Sequence, residues 1–273
     1  MSIAEKMVPD PLARDEEKNP TTSAAPERRS EDGKRVSEAL YWSEYYENSD
    51  FSYEWNDGVL EEKPVSDYLS FLVYNWFLSL LNHFLDMRPI GKMVGLEFGF
   101  RLALPHKTTI RKPDLGILSL RNPVDLDVYD RSFSGIFDLC VEILSDSKRS
   151  ELERDTRMKF AEYEQVGVRE YFILDRKGIH TAFYRRGPES IYRPIPLAEG
   201  PERNLIRSDV LPGFQFRIDD LYRRPSPKEM AEDPVYRGFV LPFYQEEIKR
   251  AKQEKTRADR LAAKLKALGF PEE

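Results

Sequence analysis

At 273 residues, with 40% hydrophobic and 12% aromatic side chains, the chain is long enough for one cored domain with extensions. Its 48 acidic residues outnumber 42 basic ones, and the net charge of −6 excludes a whole-molecule field that attracts nucleic acid, though not a local site for it. The single cysteine, Cys140, excludes an internal disulfide and fits a reducing, cytoplasmic setting, while His83, His106 and His180 lack metal-ligand spacing and give no support to a zinc module.

Residues 1–35 are charged, contain Pro and Ser, and are poor in large apolar groups, so a disordered tail without a secretory signal is expected. Residues 37–46 read as a short helix. Asn56-Asp57-Gly58 between Tyr53/Trp55 and Val59/Leu60 predicts a hairpin. Ser66 is the expected cap of a long helix running to Met87. Its apolar stretch is broken by Asn75, Asn82 and His83 and falls short of roughly 20 residues, so it reads as a core helix rather than a membrane span. Residues 93–104 alternate, with Val94, Leu96, Phe98, Phe100, Leu102 and Leu104 on one face of a single predicted strand. Strands follow at 114–120 and 137–144. A helix over 150–166 ends at Gly167, and strands at 170–174 and 179–185 flank a turn. Residues 192–221, rich in Pro, predict edge strands and loops. A polar helix over 243–268 carries Ala258, Leu261, Leu265 and Leu268 and stops at Gly269 and Pro271. The order predicts an α/β (α+β) fold with one central mixed sheet flanked by helices and a C-terminal helical tail. The expected division is a tail over 1–35, a catalytic-type domain over 36–226, and a linker with helix over 227–273.

Three residues carry candidate chemistry. Asp114 follows Pro113 at a strand start and, taken alone, reads as a solvated strand-end carboxylate. Glu142 lies inside the apolar run Phe137-Asp138-Leu139-Cys140-Val141-Glu142-Ile143-Leu144. There it must be paired, protonated or metal-bound unless its face is wet, and the run alone does not choose. Lys159 shares a helical stripe with Leu152, Thr156 and Tyr163, which points it inward, although taken alone it reads first as the surface partner of Asp155. Taken together, two strand-borne carboxylates and an inward lysine suit phosphodiester hydrolysis assisted by Mg²⁺ or Mn²⁺.

Several segments resemble the Uma family of restriction-endonuclease-type proteins, found in bacteria and belonging to the PD-(D/E)XK nuclease superfamily. They are Arg111-Lys112-Pro113-Asp114, Val141-Glu142-Ile143-Leu144-Ser145, Asp155 with Lys159 and Tyr163, and Gly167-Val168-Arg169-Glu170-Tyr171-Phe172-Ile173-Leu174-Asp175. Tyr53-Glu54 with Gly58, Gly99-Phe100-Arg101-Leu102 and Leu211-Pro212-Gly213-Phe214 extend the likeness over about residues 41–222. The resemblance implies a restriction-endonuclease-like core with a four-stranded mixed sheet. It makes Asp114 and Glu142 the motif carboxylates and Lys159 a lysine relocated from the position of Leu144. Family members often carry a His where this chain reads Ser66-Asp67-Tyr68, so Asp67 is either a partial substitute or marks a lost function. Glu97 reads first as a structural or solvated carboxylate and second as an auxiliary metal ligand. Arg111 and Lys112 are expected to meet phosphates.

The resulting expectation is a Mg²⁺-dependent (or Mn²⁺-dependent) DNA endonuclease without membrane association, able to form homo-oligomers. The alternative is a catalytically silent nuclease-fold protein that binds or assembles through its C-terminal helix, along the Leu261/Leu265/Leu268 edge.

Overall fold

The computed structural model describes residues 29–95, 97–145, 148–197 and 203–267. The chain divides into two units, residues 1–30 and 31–273, and the second holds every element considered below. The expected tail over 1–35 falls outside the described residues up to 28. From Glu31 onward the backbone is tied to the hairpin, with Gly33 N–H on the Leu60 carbonyl and Val36 N–H on the Gly58 carbonyl.

The first helix, α1 (Glu38–Leu40), runs straight into a π-helical turn at Tyr41–Tyr45. Strands β1 (Tyr53–Asn56) and β2 (Val59–Glu62) form the predicted hairpin. Asp57 (φ 47°) and Gly58 (φ 91°) both take the left-handed conformation that a two-residue hairpin turn demands. Helix α2 (Tyr68–Met87) is capped by Asp67 rather than Ser66, because the Asp67 carboxylate accepts the Ser70 N–H at 2.8 Å. The same carboxylate lies 2.8 Å from Arg176 Nη1. Replacing Asp67 with Ala is expected to lower stability by about 1 kcal/mol, read from the midpoint of chemical unfolding. The helix ends before Pro89, which disfavours helical geometry at Arg88.

The single strand expected over 93–104 is two strands in two sheets: β3 (Gly91–Val94) and β4 (Gly99–Ala103). The break centres on Glu97, whose φ of 69° cannot continue a strand. Leu96 lies outside the described residues. Strands β5 (Thr108–Arg111), β6 (Leu115–Ser119), β7 (Ser132–Phe133) and β8 (Leu139–Ile143) follow. Helix α3 (Arg149–Glu153), a π-helical turn (Arg154–Met158) and α4 (Lys159–Val166) form one continuous run, closed by Gly167 at φ 97°. Then come β9 (Glu170–Leu174), β10 (Ala182–Arg186), β11 (Tyr192–Pro194), β12 (Leu205–Arg207) and β13 (Gln215–Arg217). Helices α5 (Asp220–Arg223), α6 (Pro227–Glu232) and α7 (Pro242–Ala267) complete the order. Leu268, Gly269 and Pro271, the expected end of the last helix, lie outside the described residues.

Within the described residues the expected single central sheet is two larger sheets, beside a two-stranded β12-β13 pair. One sheet has the order β11-β10-β9-β8-β6-β3, and the other β2-β1-β5-β4-β7. In the first, β8 and β9 are parallel while β3/β6 and β6/β8 are antiparallel, so its β3-β6-β8-β9 portion is a four-stranded mixed sheet flanked by helices. The buried face of α2, formed by Val73, Phe77, Leu80, Leu81 and Phe84, packs on Leu115, Ile117, Leu139, Val141 and Phe172. Met230, Tyr236, Phe239 and Val240 join this core, so the stretch expected to begin a linker at 227 is packed instead. The hairpin has its own small cluster of Tyr41, Tyr53, Trp55, Leu60 and Ile110. Among the described residues no helix is long and apolar enough to cross a membrane.

Candidate active site

Asp114 and Glu142 arrive on neighbouring strands. Leu115 stands opposite Val141, so carrying that antiparallel register one residue further brings Asp114 beside Glu142. Asp114 lies in the link 112–114, where the chain leaves one sheet at β5 and enters the other at β6. Its Oδ2 accepts the Ile143 N–H at 2.7 Å, and 27% of its side chain remains exposed. Glu142 is 2% exposed. Its Oε1 accepts the Tyr163 hydroxyl at 2.9 Å, and its Oε2 lies 3.0 Å from Lys159 Nζ. Burial, reinforced by Asp114, Asp155 and Glu54, raises its carboxyl to about 8 despite the opposing pull of Lys159.

Lys159 is placed inward, 2% exposed, at the start of α4. Its Nζ lies 3.0 Å from Glu54, 3.0 Å from Glu142 and 3.2 Å from Asp155. An ammonium has three protons, and three carboxylates surround this one. Burial pushes Lys159 down, but these anions hold it well above the ordinary lysine value. The π-helical turn alters the expected stripe. Buried positions are Glu151, Arg154, Asp155, Lys159, Glu162 and Tyr163, so Asp155 replaces Thr156 on the inner face.

Arg111 and Lys112 do not face solvent as the phosphate contacts expected of them. Arg111 is fully buried: its Nε and Nη2 donate to Glu162 at 2.7 and 2.9 Å, and its Nη1 to Glu54 at 3.1 Å and to Glu61. Lys112 is 3% exposed; its Nζ donates to the Tyr46 carbonyl at 3.2 Å and sits 4.5 Å from the Tyr46 ring centroid. Both cations balance or cover interior groups, because the hairpin closes over them.

Glu97 is more exposed, at 45% of its side chain. Its Oε1 lies 3.4 Å from Lys63 Nζ, and its Oε2 accepts the Ser52 hydroxyl. Lys63 also contacts Asp114 Oδ1 at 3.1 Å. A cavity of about 210 Å³ opens on Glu97, Asp114 and Ile143, with Ser70, Phe71 and Tyr74 of α2 on its far wall.

A family model described as "Putative restriction endonuclease", Uma2, matches residues 38–219. The chain belongs to the Uma2 family. The match covers the hairpin, both carboxylates and Lys159 together. Among solved structures, a "putative nuclease belonging to DUF820 from Anabaena variabilis ATCC 29413" is similar at 16% identity, over 64% of this chain and 92% of that one, with a TM-score of 0.47. No curated protein matches.

In this Uma2 protein the described residues contain no cluster of three or more His, Cys, Asp or Glu side chains arranged to hold a metal ion. Mg²⁺ does not demand one, since it binds through one or two carboxylates with water and substrate oxygens completing its shell. The donors fit that chemistry: the Asp114 and Glu97 carboxylates converge on a cation, the Lys63 ammonium. Glu54 is the residue that sequence reasoning passed over. It lies between Tyr53 and Trp55 on β1, is fully buried, and touches Arg111, Lys159 and the Lys112 N–H. Burial pushes its carboxyl up, but Lys159, Arg111 and Arg154 outweigh this and hold it below the usual carboxylate range. The signal available was its place in the Tyr53-Glu54 segment of the family resemblance.

Proposed function

We propose that this chain is a metal-dependent endonuclease that hydrolyses phosphodiester bonds in DNA. The observation that carries the reading is the pairing of Asp114 with Glu142 at adjoining strand ends, with Lys159 bound to Glu142 beneath them. Membership of a family described as "Putative restriction endonuclease" supports DNA as the substrate. Asp114 and Glu142 would hold Mg²⁺ or Mn²⁺, with Glu97 as a further ligand, and the ion when bound would supply an activated water and neutralise phosphate charge.

The protein's own groups divide the remaining work. Tyr163 and Lys159 fix the Glu142 carboxylate from behind. With three carboxylates around its ammonium, Lys159 acts as a positioning residue rather than as the group that meets the attacking water. The Ile143 N–H holds Asp114 in line with the cleft.

Supercoiled plasmid and short duplexes, with Mg²⁺ or Mn²⁺, provide the test. Asp114→Asn is expected to cut at least about 10²–10³-fold more slowly than wild type, the range for losing one preorganised electrostatic group at a reacting centre. Equal cleavage by the two proteins sinks the assignment. A second reading, assembly through α7 without turnover, is favoured by Leu261 and Leu265, which are 51% and 48% exposed on that helix. It gains if no substrate is cut and the solution mass falls on Leu261→Glu.

A further inference from the structure

The cations around the candidate site are unequally committed. Arg111 is held by Glu54, Glu61 and Glu162, Lys159 by three carboxylates, and Lys112 by a carbonyl and an aromatic face. Lys63 differs, because its partners include the very carboxylates that border the cavity. It follows β2 directly, so the hairpin delivers it to the junction of the two sheets. Its Nζ donates to the Lys112 carbonyl at 2.7 Å and to Asp114 Oδ1 at 3.1 Å, and lies 3.4 Å from Glu97 Oε1. Only 9% of its side chain is exposed.

Three oxygens, two carboxylate and one carbonyl, from Glu97 and from the link 112–114, therefore surround one monovalent charge. Hard oxygens of this kind are also the ordinary ligands of a divalent cation. A divalent ion at Asp114 Oδ1 would stand a few ångströms from this ammonium, and like charges that close in a partly buried site repel, so the two compete for that oxygen.

We propose that Lys63 is the resident counter-cation of this site: it neutralises Asp114 and Glu97 in the metal-free protein and must be displaced before Asp114 can take a divalent ion. Lys63 thereby sets the metal concentration at which the site loads. This role rests on the metal-binding reading above, and its test is a binding measurement rather than turnover.

Titration calorimetry with Mn²⁺, and with Ca²⁺ as a non-activating probe, compares wild type with Lys63→Met, Lys63→Gln and Lys63→Arg, each checked for a cooperative thermal melt. Lys63→Gln keeps a donor for the Lys112 carbonyl and guards against simple loss of packing in Lys63→Met. The two neutral variants are expected to bind about tenfold tighter, and Lys63→Arg to stay near wild type. Folded neutral variants whose affinity is unchanged or weaker than wild type overturn the proposal, since they make Lys63 a scaffold or a helper of the metal rather than its competitor. If no protein, wild type included, binds either ion, the metal-binding reading itself fails and takes this role with it.

Discussion

Replacing Arg111 with Met is expected to destabilise the protein by about 3–5 kcal/mol, the range for removing one partner of a buried ion pair and leaving the other uncompensated. Here the loss takes the guanidinium from Glu54, Glu61 and Glu162, leaving buried Glu54 to Lys159 and the Lys112 N–H, and Glu162, 5% exposed, to Lys107 alone. Burial pushes Glu162 up, and it is the Arg111 guanidinium, with help from Lys107, that brings it below its ordinary value. Lys at this position is expected to recover only part of the loss, because a point charge cannot reproduce the two-pronged bond to Glu162. Urea unfolding of the two variants gives the numbers. A stable Arg111→Met protein with weakened DNA affinity would instead restore the phosphate-contact role that the buried geometry denies.

The second large effect concerns pH. Burial raises the Glu142 carboxyl to about 8 from an ordinary 4.5, which favours the protonated acid near pH 7 and leaves Glu54 and Asp155 as the carboxylates facing Lys159 there. A metal ion takes the carboxylate, so loading must expel the Glu142 proton. Divalent-cation affinity is therefore expected to climb up to about tenfold per pH unit below 8 and then level off, roughly fiftyfold between pH 6 and 8. Calorimetry at pH 7 in buffers of different ionisation enthalpy should register close to one proton released per ion, and at pH 9 none. Ion binding at pH 7 without proton release would remove Glu142 from the ligand set. The sign for folding runs the other way. The folded state binds the extra proton between about 4.5 and about 8, so this group's contribution to stability declines as pH rises through that window.

Local signals accounted for much of the frame. Asp57-Gly58 marked the hairpin, an apolar stretch behind a capping residue marked the long helix, and a charge inside an apolar strand singled out Glu142. Other features depended on contacts distant in sequence. Alternation sends Glu54 to the face opposite Tyr53 and Trp55, which would be solvent in a lone hairpin; here both faces are covered and all three are buried. Alternation also runs unbroken in the letters from Val94 to Leu104, so nothing in that pattern announced that the chain changes sheets at Glu97. Arg111 beside Asp114 looked like a phosphate ligand because its true partners, Glu61 and Glu162, come from β2 and α4. The π-helical turn at 154–158 lies outside any fixed 3.6-residue period, which is why the helical stripe held Thr156 rather than Asp155.

The hairpin's separate apolar cluster bears on how the candidate site is lost. Proteins open in cooperative parts, and a part with few buried apolar contacts opens at lower free energy than the whole. Tyr41, Tyr53, Trp55, Leu60 and Ile110 form a smaller cluster than the one beneath α2. Glu54 and Lys63 travel with that smaller part, while Glu142 lies on β8 and Lys159 and Asp155 on the helical run from α3 to α4, whose Tyr163 packs with Phe100, Cys140 and Tyr171 in a further cluster. Partial opening would withdraw the carboxylate from Lys159 and the ammonium from Asp114 in a single event, while the six-stranded sheet stayed folded. The persistence of the assembled site is thus governed by its weakest core, and a preparation can keep most of its helical signal while part of its population has no site at all.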